Sequence, residues 1–431
     1  MSGRRVAVVG GGYSGTLLSL HLLERGVQVT LIERADRLAR GVAYSTRHAD
    51  HLLNVRAAGM SALPDSPDHF ARWTEAEGLG DGTTFVQRRE YGRYLERLIG
   101  ECRLDVVRAE ADDIAPDGTV RCANGEVITA DAVVLALGNL PSETPRAIGA
   151  AGLAPGAYIG DPWAEDLAAG LGEDDTVLLL GTGLTAIDAA LMLDSAGFRG
   201  RILALSRRGL LPRAHADAAQ SAEPLAEAPD ACGSRLLALV RARAQAIGWR
   251  AAVDSLRPVT QALWASASPD ERRRFLRHLR PWWDVHRHRI APSIAARIEG
   301  LIADRRLQVA AGKIGEVLRD RDGALLRWRA RGEDEAQRLP VRRIVNCTGP
   351  QADISRAGEP LLDALLAAGR IRSDPLRIGV DVNASSRVVA ADGCPSETLY
   401  AVGPITRGAF WEIVAVPDIR HQVKAVAERL A

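Results

Sequence analysis

Lysine is almost missing from this chain. Only Lys313 and Lys424 occur among 431 residues, and arginine supplies the rest of a Lys+Arg total of 55. With that bias spread over the whole sequence, an isolated arginine carries little functional information. Charge of one sign is missing too. The 54 acidic residues leave a net charge of +1, so there is no global electrostatic case for nucleic acid or a membrane surface. The five cysteines, at 102, 122, 232, 347 and 394, form no Cys-x-x-Cys and no paired spacing, which reads as reduced thiols in a cytoplasmic protein rather than a disulfide framework. No stretch reaches the ~18 apolar residues of a membrane span. The first apolar run, Val6 to Val9, stops at a glycine after four residues, which makes a strand rather than the core of a signal peptide. Gly-x-Ser-x-Gly, His-Glu-x-x-His, the Gly-Lys-Ser/Thr phosphate loop and a Cys-His nucleophile signature are all absent. These absences set aside the common hydrolases and nucleoside triphosphatases.

What is present is glycine at particular places. Val6-Ala-Val-Val9 leads into Gly10-Gly-Gly-Tyr-Ser-Gly15, then a helical pattern to Arg25, then a strand from Val27 to Ile32 that ends at Glu33, 23 residues after the first glycine. Gly10 makes the tight turn, Gly12 lets backbone approach a pyrophosphate, and Gly15 lets helix and strand pack closely. Tyr13 and Ser14 complete the loop, and the helix start offers free N–H groups and the positive end of its dipole to phosphates. Glu33 can accept the hydroxyl protons of an adenosine ribose, with Arg34 beside it. This unit suits a cofactor with a free ribose, FAD or NAD.

A second unit follows the same plan. Thr176-Val-Leu-Leu-Leu180 runs into Gly181-Thr-Gly-Leu-Thr-Ala186, where Gly181, Gly183, Leu184 and Thr185 form the turn and helix start. The next strand, Arg201 to Leu205, ends in Ser206-Arg207-Arg208 where the first unit has an acid. An acid there would repel a 2′-phosphate, whereas a Ser-Arg-Arg turn would bind one, so this unit reads NADPH, with NADH open. Two dinucleotide sites with different ribose readers imply hydride transfer between a flavin and a nicotinamide.

On these motifs the chain resembles the two-dinucleotide-binding-domain flavoproteins, in particular the flavin-containing (class B) monooxygenases and a bacterial branch labelled "FAD/NAD(P)-binding protein". Further segments carry the resemblance. Gly41-Val-Ala-Tyr-Ser45 corresponds to a loop folded over the flavin, which places Tyr44 beside it. "LLNVRAAGMSALPD", 52–65, matches the family's Asn, then Met, then Pro-Asp, and implies Asn54 beside the flavin ring as a catalytic residue holding the oxygenated flavin. "VVLALGN", 133–139, and "RIVNCTGP", 343–350, correspond to the crossings between the domains, with Gly138 and Gly349 as cofactor contacts. "LYAVGPITRGAFWEI", 399–413, corresponds to the closing flavin strand and following helix, with Gly403, Trp411 and Glu412 toward the cofactor or substrate. Three features depart from the pattern. Pro404 follows Gly403 where the family carries Asp, the segment 157–166 lacks the fingerprint His, and 215–300 is longer than a plain nicotinamide domain needs.

The resemblance implies an α/β fold of two Rossmann-like domains, the NAD(P)H domain inserted into the FAD domain. Residues 1–155 and 342–431 form the first, and 156–341 the second with a helical insertion at 215–300. Helical periodicity covers Ser234 to Ile247, Pro269 to Leu279 and Trp282 to Ile302, while Asp320-Arg-Asp-Gly323 is a hairpin turn and 215–231 reads as a mobile loop.

"RPWWDVHRHRIAP", 280–292, concentrates two tryptophans, two histidines and three arginines. On a helix Trp282, His286 and Arg289 share one face, Trp283 and Arg287 another. His286 and His288 point to different sides with no third ligand near, so no metal site is expected, and the patch is too narrow for nucleic acid. Two readings stay open: tryptophans packing the insertion onto the nucleotide domain, or a substrate pocket. In the pocket reading Arg287 or Arg289 pairs with a carboxylate or phosphate, and His286 shuttles a proton.

The activity implied is an NADPH-dependent flavoprotein monooxygenase. Its flavin C4a-(hydro)peroxide oxygenates nitrogen or another heteroatom of a small molecule, which can be anionic, with O2 as co-substrate and no nucleic acid or membrane partner. The alternatives are an FAD-dependent NAD(P)H oxidoreductase without oxygen insertion and a redox-inactive flavin- and nicotinamide-binding sensor or docking protein. Oligomeric state is open.

Overall fold

The computed structural model describes residues 3–100, 102–218 and 223–431. Of the loop expected at 215–231, positions 219–222 lie outside the described residues.

The first sheet has six strands, in the order Arg387–Val389, Pro395–Ala401, Ala132–Leu135, Arg5–Val9, Gln28–Ile32 and Asp105–Val107. All pairings are parallel except the one between the two last strands of the chain. Its central strands read as continuous apolar runs because both faces are covered. Helices Tyr13–Leu23 and Val416–Leu430 lie together on one face, and helix Pro360–Ala367 with the small antiparallel sheet of residues 111–129 covers the other.

The second sheet has seven strands, in the order Ala336–Val341, Gly323–Ala330, Leu307–Asp320, Arg201–Ser206, Thr176–Leu180, Arg343–Asn346 and Tyr158–Ile159. The 14-residue strand Leu307–Asp320 pairs parallel with Arg201–Ser206 at its start and turns into the hairpin expected at 320–323 at its end. Arg343–Asn346 belongs to this second sheet, paired with Thr176–Leu180. The return to the first domain therefore comes a few residues after the expected boundary at 342, past the glycine crossing.

The segment between Arg201–Ser206 and Leu307–Asp320 is helical, with helices Gly233–Ile247, Trp249–Ser255, Thr260–Ser266, Pro269–Arg274, Arg280–Arg287 and Pro292–Ala303 and a π turn at Phe275–Leu279. Ser268 and Glu271 form a capping box at the start of the fourth. The helix expected from Trp282 to Ile302 is broken at His288–Ala291, where Pro292 opens a new helix and Ile290 bridges to Ala214. The insertion docks on the end of the first domain: Trp264 stacks on Trp411 at 4.6 Å and donates from Nε1 to the Gly408 carbonyl at 2.9 Å. Among the described residues no helix is long and apolar enough to cross a membrane.

Candidate functional site

Each glycine turn has the geometry its motif requires. Gly10 has φ +105°, and a Cβ there would lie 2.5 Å from the Ala136 carbonyl oxygen. A Cβ on Gly15 would lie 1.9 Å from the Gly10 carbonyl oxygen, so only glycine lets helix Tyr13–Leu23 sit this close to its strand. That helix has no side-chain cap, which leaves its first N–H groups for a ligand. Glu33 stands at the end of Gln28–Ile32 and accepts from Gly11 N at 2.5 Å and Ala35 N at 2.8 Å. A ribose hydroxyl would meet it there. Arg34 turns away to Glu110 at 2.9 Å and Glu359 at 3.3 Å. Tyr44 packs on Tyr91 at 4.6 Å within the tyrosine cluster that includes Tyr13, and burial raises all three phenols. Gly403, at φ +77°, lies against Ser14, and its N–H donates to Gln422 Oε1 at 2.8 Å. The closing segment therefore meets the first glycine loop even with Pro404 in place of Asp.

The second turn repeats this. A Cβ on Gly181 (φ +130°) would lie 2.3 Å from the Cys347 carbonyl oxygen, whereas Gly183 faces open space and helix Leu184–Ser195, beginning with Leu184 and Thr185, is again uncapped by a side chain. Ser206 Oγ lies 2.9 Å from Thr182 Oγ1 and accepts from Gly209 N at 3.0 Å, which fixes the Ser206-Arg207-Arg208 turn beside the loop. Arg207 is exposed, and Arg208 reaches the Arg277 carbonyl at 3.4 Å. Gly138 and Gly349, at φ +68° and +84°, face open space where a side chain would begin, and they mark the two crossings. The residues of both turns fit a dinucleotide at each.

Between the two domains lies a crevice lined by Leu52, Asn54 and Arg88 from the first and by Leu184, Asp188, Ile290 and Ile294 from the second. Asn54 thus faces the start of the second glycine helix. Its carbonyl accepts from His215 Nε2 at 3.0 Å, and desolvation lowers the His215 imidazole to about 4. Arg88 spans the crevice floor to Asp188 at 2.7 Å. His51 donates from Nε2 to the Asp188 carbonyl at 3.4 Å, its Nδ1 bonds Thr46 Oγ1 at 2.7 Å, and its ring meets the edge of Trp163 at 5.4 Å.

Of the residues expected from 280–292, one reaches a polar centre. Arg287 Nε lies 3.1 Å from Glu412 Oε2, while Trp283 Nε1, on the same helix face, donates to Glu412 Oε1 at 2.7 Å and His288 Nε2 lies 3.7 Å away. Glu412 is buried and adopts φ +66°. Trp411, expected toward the cofactor, packs inside the insertion against Trp264 and Phe275. The helix ends at Arg287, so Arg289 does not continue the face of Trp282 and His286, though both His286 and Arg289 meet Trp249. His286 meets the edge of Trp249 at 5.0 Å and donates from Nδ1 to the Trp282 carbonyl at 2.7 Å. Arg289 is buried, paired with Asp254 and lying over Trp249. The structure brings neither to the crevice, because the insertion's own core takes them.

Sequence reasoning missed Arg88, Asp188, His51 and Gln422. No local motif marks them. Asp188 sits at a helix position that pattern alone assigns to the core, and a buried acid in an apolar helix is the one signal that could have flagged it.

Residues 7–140 match the family model described as FAD-NAD(P)-binding. No curated protein sequence matches the chain. Among solved structures the chain is similar to the reduced form of ornithine hydroxylase from Pseudomonas aeruginosa, at 16% identity and TM-score 0.67, covering 99% of this chain and 98% of that one. It is similar to the FAD-bound cadaverine monooxygenase of desferrioxamine biosynthesis from Erwinia amylovora, at 12% identity and TM-score 0.68, covering 100% and 95%. Bacillithiol disulfide reductase from Bacillus cereus follows, at 14% identity and TM-score 0.57, covering 100% and 99%. At these identities the likeness is one of fold, and it runs the full length of the chain.

Proposed function

We propose that this protein is an NADPH-dependent flavoprotein monooxygenase acting on a nitrogen or other heteroatom of a small molecule. The observation that carries the reading is the pair of uncapped glycine turns with different ribose readers, Glu33 and Ser206-Arg207-Arg208, with the helix of the second turn lining one crevice together with Asn54. The full-length likeness to an ornithine hydroxylase and a cadaverine monooxygenase supports it.

FAD bound at the first turn would take hydride from NADPH and use O2 to supply the transferred oxygen. The chain's part is binding, alignment and exclusion of water. The N–H groups after Gly12 and Gly183 hold the two pyrophosphates, and Glu33 holds the flavin cofactor's ribose. Arg207 and Arg208 select the 2′-phosphate. Arg88 and Asp188 fix the distance between the domains, and Asn54 presents its side chain where the two cofactors meet. Leu52, Leu184, Ile290 and Ile294 supply the crevice's apolar wall beside the Arg88–Asp188 pair.

The second reading, an FAD-dependent NAD(P)H oxidoreductase without oxygen insertion, draws on Pro404 in place of Asp and on the reductase likeness. Cysteine chemistry is a poor route for it. Among the described residues no two cysteines pair, and burial raises the Cys347 thiol beneath the second turn.

Anaerobic NADPH should bleach the flavin, and O2 with an amine substrate should then give hydroxylated product in step with NADPH use. Peroxide alone across a broad amine panel would favour the second reading. Replacing Ser206-Arg207-Arg208 by Ser-Asp-Gln should shift preference toward NADH by about 100-fold, as loss of charge-assisted phosphate contacts demands. An unchanged preference would remove the NADPH assignment.

A further inference from the structure

The segment after the Ser206-Arg207-Arg208 turn is fixed to its own domain at one wall of the crevice. Thr182 of the second glycine loop donates from Oγ1 to the Leu210 carbonyl at 2.6 Å. Ile290 N donates to the Arg213 carbonyl and His215 N to the Ile290 carbonyl, both at 3.0 Å, and Arg250 Nε donates to the Ala214 carbonyl at 3.1 Å. Ile290 and Ala291 themselves line the crevice. From this anchored backbone the His215 side chain crosses to the opposite wall. Its Nε2 donates to the Asn54 carbonyl at 3.0 Å, and its ring packs at 5.0 Å against Phe85, which also carries the Arg56 guanidinium at 4.7 Å. Arg56, two residues after Asn54, donates in turn to the carbonyls of Ala216 and Asp217 at 2.8 and 2.9 Å. Burial keeps the imidazole neutral at pH 7, and a carbonyl can only accept, so the proton sits on Nε2.

Among the described residues the Asn54 side-chain amide has no hydrogen bond, so the protein holds Asn54 through its backbone. The contact that reaches that backbone from the facing domain is the one from His215. We propose that His215 is a positioning residue, which registers Asn54 against the crevice wall that carries the second glycine turn. The register matters because the two walls belong to different domains, and a displacement of about an ångström between reacting partners can cost about 100-fold in rate. Arg88 and Asp188 join the same two walls, whereas His215 grips Asn54 itself. The inference rests on the functional reading above for what Asn54 does, but not for what holds it.

Two variants of the flavin-loaded protein separate the hydrogen bond from the packing. His215→Phe keeps a ring against Phe85 and removes the donor, whereas His215→Gln keeps a donor and removes the ring. With L-ornithine, L-lysine or cadaverine as substrate, His215→Phe should cut the product formed per NADPH oxidised by about 10-fold. The remaining electrons should leave as hydrogen peroxide. His215→Gln should stay within about 2-fold of the wild type, because the hydrogen bond survives. Asn54→Ala should lose as much by itself, and His215→Phe added to it should cost nothing further. Visible circular dichroism of the oxidised flavin with NADP+ present should change in His215→Phe and not in His215→Gln. Flavin content and thermal midpoint of each variant report folding. An unimpaired His215→Phe, a His215→Gln as poor as His215→Phe, or losses that add in the double variant overturns the positioning role. Peroxide alone from the wild type with all three amines overturns the functional reading instead. The dichroism then decides the positioning role without turnover, and a spectrum unchanged in His215→Phe overturns it.

Discussion

Glu412 holds a left-handed conformation at φ +66°, which a residue with a side chain adopts only where its surroundings impose it. Its carboxylate supplies the reason, accepting from Trp283 and facing Arg287 in a buried contact between the insertion and the first domain. Glu412→Gln keeps the size and a hydrogen-bond acceptor but removes the carboxylate paired with Arg287 and leaves Asp418 as its remaining opposite charge, so unfolding free energy should drop by about 2 kcal/mol. Chemical denaturation checks this, and a change under ~0.5 kcal/mol would mean packing alone holds the contact. The sequence could name Glu412 as a candidate but not its partner, because Trp283 is 129 residues away. Gly10 and Gly15 are the opposite case. Gly15 is constrained by the Gly10 carbonyl five residues before it, and Gly10 by the distant Ala136 carbonyl, yet the motif's spacing revealed both because strand, turn and helix recur together.

At the scale of elements, the strap Arg213–Asp217 ties the insertion to the first domain. Arg213 and His215 exchange backbone hydrogen bonds with Val285 and Ile290, Arg56 binds the carbonyls of Ala216 and Asp217, and His215 reaches Asn54. Burial lowers His215 to about 4, against about 6.5 in an unfolded chain. Between those values the unfolded chain binds a proton that the folded chain does not. Stability from this residue is therefore complete above about pH 6.5 and is lost as pH falls toward about 4. Thermal midpoints measured from pH 7.5 to 4.5 should fall more steeply for the wild type than for His215→Gln, which keeps a donor for Asn54 and does not titrate. Parallel curves would assign the acid loss to other groups. Periodicity made helices Gly233–Ile247 and Pro269–Arg274 readable, whereas the short helices Trp249–Ser255 and Thr260–Ser266 carried too few turns to show one. The break before Pro292 was only half readable, since proline marks a boundary but not the bridge from Ile290 to Ala214 that uses it.

Over the whole molecule, the two domains are held in register by ion pairs that no motif announces. Arg88 joins Asp188, and Arg297 of the insertion's last helix joins both Asp50 and Asp194. Arg88→Met would leave Asp188 buried and unpaired, at a cost of about 3 kcal/mol. It should also slow anaerobic flavin reduction by about 10- to 100-fold, since misplacing the partners by an ångström has that effect. Stopped-flow reduction with flavin content held equal checks this, and an unchanged rate would show that the clasp does not set cofactor alignment. The order of the two nucleotide units and the nested domain plan were legible because each unit is local. The clasp was not, because it exists only once residues 100 apart meet.

The path of the chain also sets an order of assembly. Everything the second sheet needs lies between Tyr158 and Asn346, so that domain can close as soon as it leaves the ribosome. The first sheet cannot. Leu399 pairs with Val133 across 266 residues, and helix Tyr13–Leu23 waits for Val416–Leu430 to cover it. Until the last strand arrives, Ala132–Leu135 is an open edge and the first glycine loop lacks Gly403. Nascent chains therefore carry a finished second domain beside an unfinished first domain with an exposed, apolar strand, the kind of edge that invites pairing with a neighbour. Synthesis of strand Pro395–Ala401 and helix Val416–Leu430 is the step that ends that exposure.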